Sequence, residues 1–150
     1  MSWKVKKFDE LTNYELYSIL KERSDIFVVE QTCFYLDPDG LDMASYHLYK
    51  KENEEIIAYL RILPREIVGD NAAIGRVIVK KDYRGKGIGK ELIGEALKFI
   101  TEVLKEHNVE LHAQDHLRDF YGSFGFKVSS DVYLDAGIPH VTMIWTNKDK

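Results

Sequence analysis

The residues of this chain best suited to chemistry begin with a glycine-rich turn. Residues 84–89 read Arg-Gly-Lys-Gly-Ile-Gly, after the β-branched run 74–79 and a short polar turn at 80–83, and they run into an apolar helical pattern that starts at Ile88. Glycines let a backbone approach an anion, successive N–H groups point at it, and the dipole of the following helix adds positive potential. This order of strand, turn and helix predicts a phosphate-binding site.

The spacing of the glycines excludes two common phosphate motifs. A P-loop ends in Gly-Lys-Ser/Thr, whereas Gly89-Lys90 is followed here by Glu91, so no hydroxyl is placed for magnesium. The dinucleotide fingerprint GxGxxG also fails, because Gly85, Gly87 and Gly89 are each two residues apart. The remaining pattern, Arg-x-x-Gly-x-Gly, resembles the pyrophosphate loop of GNAT-type N-acetyltransferases. The alternative is a basic turn that binds no ligand.

A second pattern lies in residues 114–126. In GNAT sequences an Asn ends the strand after the long helix, a small or apolar residue follows three positions later, a Tyr four after that, and Gly-Phe four later still. Gln114, Leu117, Tyr121 and Gly125-Phe126 keep this register, with Gln and Leu in place of the commoner Asn and Ala. The chain also resembles the ElaA-type branch of this superfamily in residues 27–31, 37–40, 74–77 and 137–140.

The resemblance implies an α+β (α/β-type GNAT) fold, with a mixed, mostly antiparallel central sheet covered by helices and splayed strands that hold the cofactor. The patterns along the chain agree, because they read as βα, three strands, α, β, α and two strands, in one domain over residues 1–150. Thr12 and Glu15 form a capping box. Helices are expected over 13–28, from 88 onward and over 117–124, and strands over 3–8, 45–50, 56–63, 74–79, 109–113, 126–134 and 141–146.

Acetyl-coenzyme A is the cosubstrate that the resemblance implies. The strand before the glycine turn would pair with the pantetheine amides like an added strand, and Gln114 would offer its amide to the same arm. Basic side chains of the turn suit phosphate oxygens. The expected cofactor-binding residues are Val77, Ile78, Val79, Arg84, Gly85, Lys86, Gly87, Ile88, Gly89, Lys90, Gln114, Leu117 and Tyr121.

Direct transfer from the thioester to an amine needs a base for the amine and a proton for the departing thiolate. Tyr121 is the candidate proton donor, because a phenol with a pKa of about 10 can protonate a thiolate without ionising first. Its alternative role is a core aromatic beside Phe120 and Phe124. Glu30 is the candidate base, since it lies in the apolar segment 27–31, and His47, His140 or a water chain are alternatives.

The acceptor side is expected to contain Glu30, His47, Arg61 and His140. Arg61 would bind a substrate carboxylate, or it would pair with Asp39 or Asp42. The acceptor itself is predicted to be a primary amine of a small molecule or a peptide. A rival hypothesis is a non-catalytic acyl-coenzyme A-binding sensor, and a nucleotide-binding regulatory domain conflicts with the two failed phosphate motifs.

Composition sets the remaining expectations. The chain has 150 residues with 21 basic against 25 acidic side chains and a net charge of −4, which gives no excess of positive charge for nucleic-acid binding. The single cysteine, Cys33, cannot form an intrachain disulfide, and no apolar run reaches the length of a membrane span, so a cytoplasmic protein without membrane contact is expected. The five histidines and one cysteine lack metal-ligand spacing, so no metal is expected. A homodimer is left open.

Overall fold

The computed structural model describes residues 3–31 and 37–147. The strands in these residues are β1 (Lys4–Lys7), β2 (Tyr46–Glu52), β3 (Glu55–Leu63), β4 (Ala72–Val79), β5 (Asn108–Gln114), β6 (Lys127–Val128), β7 (Tyr133–Asp135) and β8 (Ile138–Thr146). The α-helices are α1 (Asn13–Arg23), α2 (Ile88–Glu102) and α3 (Arg118–Gly122), and a π-helix, Ser24–Glu30, continues α1. Short 3₁₀ turns cover Phe8–Glu10, Asp42–Ala44, Lys81–Tyr83 and Asp115–Leu117.

All described strands belong to one sheet, in the order β1-β2-β3-β4-β5-β8-β6, with β7 paired to β8. Every pairing is antiparallel except that of β4 with β5, which is parallel and extends only over residues 72–74 and 109–111. Beyond Ile74 and Leu111 the two strands separate, while each keeps its outer partner. The expectation of a mixed, mostly antiparallel sheet with splayed strands is confirmed.

Helices cover both faces of the sheet. On one face α2 buries Leu92, Ile93, Ala96 and Ile100, as its sequence periodicity predicts. The apolar spacing that starts at Ile88 in the sequence also predicts Val103 for this face, and that part of the prediction is wrong. The helix ends at Glu102, and Val103 is 61% exposed.

On the other face, α1 and the π-helix pack through Ile19 and Ile26 against β2, β3 and β4. The predicted capping box is present, because Glu15 N donates to Thr12 Oγ1 at 3.0 Å and Thr12 N donates to Glu15 Oε1 at 2.9 Å. The helix predicted over 13–28 is regular only to Arg23 and then widens into the π-helix. Wider helical turns of this kind often occur at functional sites.

The C-terminal region departs from the expected strand over 126–134. Two short strands, β6 and β7, replace it, because the Ser130 hydroxyl accepts a hydrogen bond from Thr142 N at 2.9 Å where a backbone carbonyl would continue the ladder. A two-residue turn then joins β7 to β8, with Ala136 at φ 52° and Gly137 at φ 78°. These left-handed values fit the tight turns that join antiparallel strands.

Candidate active site

A cavity of about 380 Å³ lies where β4 and β5 separate. Its walls come from β3, β4, β5, the β7–β8 hairpin, α3 and the end of the π-helix, so the splayed sheet positions most of its lining. Phe27 and Gln31 enter it from the π-helix side. Of the residues that the sequence nominated, the structure brings together Arg61, Val77, Gln114, Leu117, Tyr121 and His140.

Tyr121 lies on α3 and combines both of the roles that the sequence left open. Its ring packs edge-on against Phe120 and Phe126, with centroid separations of 5.1 and 6.0 Å, and the residue is only 6% exposed. It also lines the cavity, and within residues 3–31 and 37–147 no hydrogen bond satisfies its hydroxyl. Burial raises the pKa of Tyr121 to about 12, so the phenol keeps its proton at neutral pH.

His140 faces Gln114 across the pairing of β5 with β8. Its Nδ1 lies 2.7 Å from the carbonyl oxygen of Ile138. A carbonyl only accepts, so Nδ1 carries the proton of the neutral ring and Nε2 keeps a lone pair. The ring also stacks on Tyr133 at a centroid separation of 6.2 Å, which restricts its orientation. In the neutral form of this ring, Nε2 is therefore the nitrogen that can accept a hydrogen bond at the cavity wall.

The three glycines of the glycine turn have different structural roles. Gly85 at φ 78° and Gly87 at φ 83° have left-handed backbones that side chains disfavour, and Gly87 is the residue at the N-terminal cap of α2. Gly89 serves packing instead, because a Cβ there would lie 3.4 Å from the ring of Phe120. The first-turn N–H groups of α2 thus follow directly on this turn, as the phosphate-site prediction requires.

Arg84 connects the glycine turn to two other elements. Its Nε donates to the carbonyl oxygen of Val79 at 2.9 Å, which fixes the turn to the end of β4. Its two terminal nitrogens donate to both carboxylate oxygens of Glu30, at 3.0 and 3.2 Å. Glu30, the candidate base, therefore lies beside the glycine turn, and its side chain does not line the cavity.

His47, the second nominated base, also lies outside the cavity. It is fully buried, with one ring nitrogen 2.7 Å from the Tyr59 hydroxyl and the other 2.9 Å from the carbonyl oxygen of Asp42. Burial lowers the pKa of His47. With both nitrogens engaged, this histidine is a structural residue in the conformation described.

Arg61 adopts the alternative that the sequence allowed. Its Nη1 donates to Asp39 at 2.8 Å and to Asp42 at 3.0 Å, and its Nη2 donates to Asp39 at 2.5 Å. Gly75, its partner on β4, leaves room for this side chain. The pair belongs to an arginine–aspartate network made of Arg23, Arg61, Arg76, Asp37, Asp39 and Asp42.

The residues of β4 that were expected to bind the cofactor lie on different sides of the sheet. Val77 lines the cavity, whereas Ile78 packs against α1 and Val79 packs toward the α2 side. Among the described residues, the backbone edge of these residues that faces β5 has no strand partner, because the parallel ladder stops at Ile74. Lys86 and Lys90 are exposed on and beside the glycine turn.

Among the residues that line the cavity, sequence reasoning missed four ionisable ones: Arg76, Glu110, His112 and Asp135. Two of them, Glu110 and His112, could have been predicted, because alternate residues of a strand share a face and Gln114 on the same strand was already a candidate. Glu110 and His112 precede it by four and two positions, and His112 Nε2 lies 3.0 Å from Glu110 Oε2. Asp135 is brought in by the β7–β8 hairpin, and Arg76 by a left-handed backbone at φ 54° in β4.

This fold agrees with the comparison to known families. The model of the acetyltransferase (GNAT) domain matches residues 36–147, so the chain belongs to the GNAT acetyltransferase family. Protein ElaA of Escherichia coli is 39% identical over 145 residues, which covers 95% of each chain, and its crystal structure has a TM-score of 0.90.

Other solved structures place the chain in the same fold. The crystal structure of an acyl-CoA N-acyltransferase from Pseudomonas aeruginosa has a TM-score of 0.92 at 36% identity, and the alignment covers 97% of this chain and 100% of that one. An aminoglycoside 6'-N-acetyltransferase complexed with coenzyme A shares the fold at 15% identity, with a TM-score of 0.71 and coverage of 95% and 96%. Within residues 3–31 and 37–147, no helix is long and apolar enough to cross a membrane, and no cluster of three or more metal-ligating side chains is found.

Proposed function

We propose that this protein is an acetyl-coenzyme A-dependent N-acetyltransferase that transfers an acetyl group to a primary amine of a small molecule or a peptide. The observation that carries the proposal is the Tyr121 hydroxyl, which lies without a hydrogen-bond partner among the described residues in the cavity between the separated strands. We further propose that the chain acts as one domain, without a metal, in the cytoplasm.

Three features support acetyl-coenzyme A as the cosubstrate. The left-handed glycines place unobstructed backbone N–H groups at the start of α2, where a pyrophosphate is favoured. Lys86 and Lys90 supply positive charge around them, and Arg84 would add its charge on leaving its ion pair with Glu30. The edge of β4 beyond Ile74, which no described strand pairs with, offers backbone groups to the pantetheine amides in the manner of an added strand.

The chemistry we propose is a direct transfer in a ternary complex. The amine lone pair attacks the thioester carbonyl, the C–N bond forms, and the C–S bond breaks. The Tyr121 hydroxyl gives its proton to the departing thiolate, which needs a donor that is still protonated at neutral pH. We assign the amine proton to His140 Nε2, directly or through a water molecule, because Nδ1 is already committed to the Ile138 carbonyl.

The test is an assay of free thiol release from acetyl-coenzyme A with a panel of amines and peptides. We expect acceptor-dependent release of thiol, with mass spectrometry finding the acetyl group on the acceptor nitrogen. Tight binding of acetyl-coenzyme A by calorimetry, without turnover of any acceptor, would instead support the non-catalytic sensor. Failure to bind acetyl-coenzyme A would refute both functions.

A further inference from the structure

The two walls of the cavity differ in how far their charged side chains are paired with opposite charges. On the β3–β4 wall, Arg61 and Arg76 are held by aspartates of the arginine–aspartate network, which contains three arginines and three aspartates and is therefore neutral as a group. These arginines thus have little charge left with which to attract an anionic acceptor. The other wall has no such compensation.

That other wall carries two carboxylates, Glu110 on β5 and Asp135 at the β7–β8 hairpin. Within residues 3–31 and 37–147, no lysine or arginine pairs with either of them, and His112 is the group that contacts Glu110. This wall therefore carries two carboxylates that no described lysine or arginine compensates. The cavity between the walls is also lined by Tyr121, a residue that is 6% exposed and whose hydroxyl has no hydrogen-bond partner among the described residues. A built cavity with an uncompensated negative wall favours a cationic ligand.

The sheet register gives the spacing of these groups. Gln114 pairs with His140, and Glu110 lies four residues earlier on the same face of β5. Because a strand rises about 3.3 Å per residue, Glu110 lies about 13 Å along the sheet from the Gln114–His140 pair. Taking the two side chains at the spacing of their strand positions, hydrogen bonds of about 3 Å at each end leave about 7 Å between two ligand nitrogens that contact both groups. An alkyl chain of about five methylenes spans this length.

From this geometry we propose that the preferred acceptor is an aliphatic diamine. One amino group, near His140, receives the acetyl group, and the ammonium at the other end of the acceptor binds the Glu110 carboxylate. Asp135 adds negative potential at the hairpin end of the cavity. The inference rests on the proposed N-acetyltransferase function and names the class of acceptor that the same cavity selects.

The experiment compares three acceptors of matched length: 1,5-diaminopentane, 1-aminopentane and 5-aminopentanoate, which end in an ammonium, a methyl group and a carboxylate. We expect kcat/KM to be at least about tenfold higher for the diamine than for the monoamine, since a hydrogen bond to a charged group is worth about that factor. The carboxylate compound should be the poorest acceptor. Glu110→Gln should lower kcat/KM for the diamine by about tenfold and change it for the monoamine by less than about twofold.

The matched control is Glu102→Gln, which removes the same charge at the end of α2, on an exposed residue that does not line the cavity. It should leave the preference for the diamine unchanged. Equal kcat/KM for diamine and monoamine, or an equal loss for both in Glu110→Gln, would overturn the diamine inference while leaving the acetyltransferase function intact.

If no acceptor releases thiol, the proposed function fails, and calorimetry then tests the inference separately. 1,5-Diaminopentane is titrated into the wild-type protein and into Glu110→Gln, each saturated with coenzyme A. Weaker binding to the variant by about tenfold supports the ammonium site at Glu110. Equal affinities, or no binding to either protein, overturn it.

Discussion

Replacing Tyr121 by Phe removes one hydroxyl from the cavity and keeps the ring. The ring contacts with Phe120 and Phe126 carry the packing of this residue, and no described group is hydrogen-bonded to the hydroxyl that is lost. The free energy of unfolding should therefore change by less than about 0.5 kcal/mol, as for a substitution that leaves no buried partner unsatisfied. A general acid contributes on the order of 10²–10⁴-fold in rate, so we expect kcat to fall by at least about tenfold.

The assay is single-turnover thiol release under conditions in which chemistry limits the rate, together with calorimetry for acetyl-coenzyme A and thermal unfolding. The loss should shrink for thioesters whose leaving thiol is more acidic, because such a thiolate departs with less help from a proton donor. Affinity for acetyl-coenzyme A should be nearly unchanged.

Tyr49→Phe is the matched control. Tyr49 is fully buried and its hydroxyl donates to Glu15 Oε2 at 2.7 Å, on the face of the sheet that α1 covers. This variant should lose about 1–2 kcal/mol of stability, because it breaks a buried hydrogen bond to a charged group, and should keep its rate per folded molecule. Wild-type kcat in Tyr121→Phe would refute the proton-donor role and reduce Tyr121 to a packing residue.

The other predictions concern the catalytic base, the glycine turn and the stability of the protein at acidic pH. His140→Gln should flatten the acidic limb of the kcat/KM profile against pH, whereas Glu30→Gln should leave that limb in place. Glu30→Gln should also tighten coenzyme A binding by up to about fivefold, because the half-exposed ion pair between Glu30 and Arg84, which competes with the phosphates for Arg84, is worth up to about 1 kcal/mol. An unchanged limb in His140→Gln would leave a water chain as the base. Gly87→Val should weaken acetyl-coenzyme A binding by calorimetry, since its φ of 83° disfavours a β-branched side chain, and unchanged affinity would move the pyrophosphate elsewhere. Burial alone would raise the pKa of Glu15, but hydrogen bonds from Thr12 N, Tyr49 and lysines lower it to about 2, so its stabilising contribution is complete above about pH 5 and lost toward pH 2. Chemical denaturation across that range should show a shallower pH dependence in Glu15→Gln.

Local sequence was enough to predict the parts of the site whose determinants are close together in the chain. The glycine turn, the capping box of α1 and the register of Gln114, Tyr121 and Gly125 each depend on residues within a few positions of one another. The α2 face was predicted by its period, although the helix ends one residue before Val103. Family membership and fold followed from these local patterns.

The features that the sequence did not predict depend on contacts between distant residues. Glu30 and Arg84 are 54 positions apart, and nothing near either residue indicates their pairing. His47 became structural because Tyr59 and Asp42 take both of its nitrogens, which only the sheet register and the turn at 42–44 decide. The break in the strand expected over 126–134 depends on one serine hydroxyl that replaces a backbone acceptor.

The arginine–aspartate network has a consequence for how the acceptor site can change. Arg23 is fully buried, and Arg61 and Asp37 are 4% and 3% exposed, so removing one of these three leaves the buried network with one uncompensated charge. Such a loss costs about 3–5 kcal/mol, a large share of the stability of a small domain. The β3–β4 wall can therefore be altered only by coordinated replacement of several residues. The β5 wall carries half-exposed side chains with few partners, so single substitutions there are tolerated, and redesign of acceptor choice is best directed at Glu110 and His112.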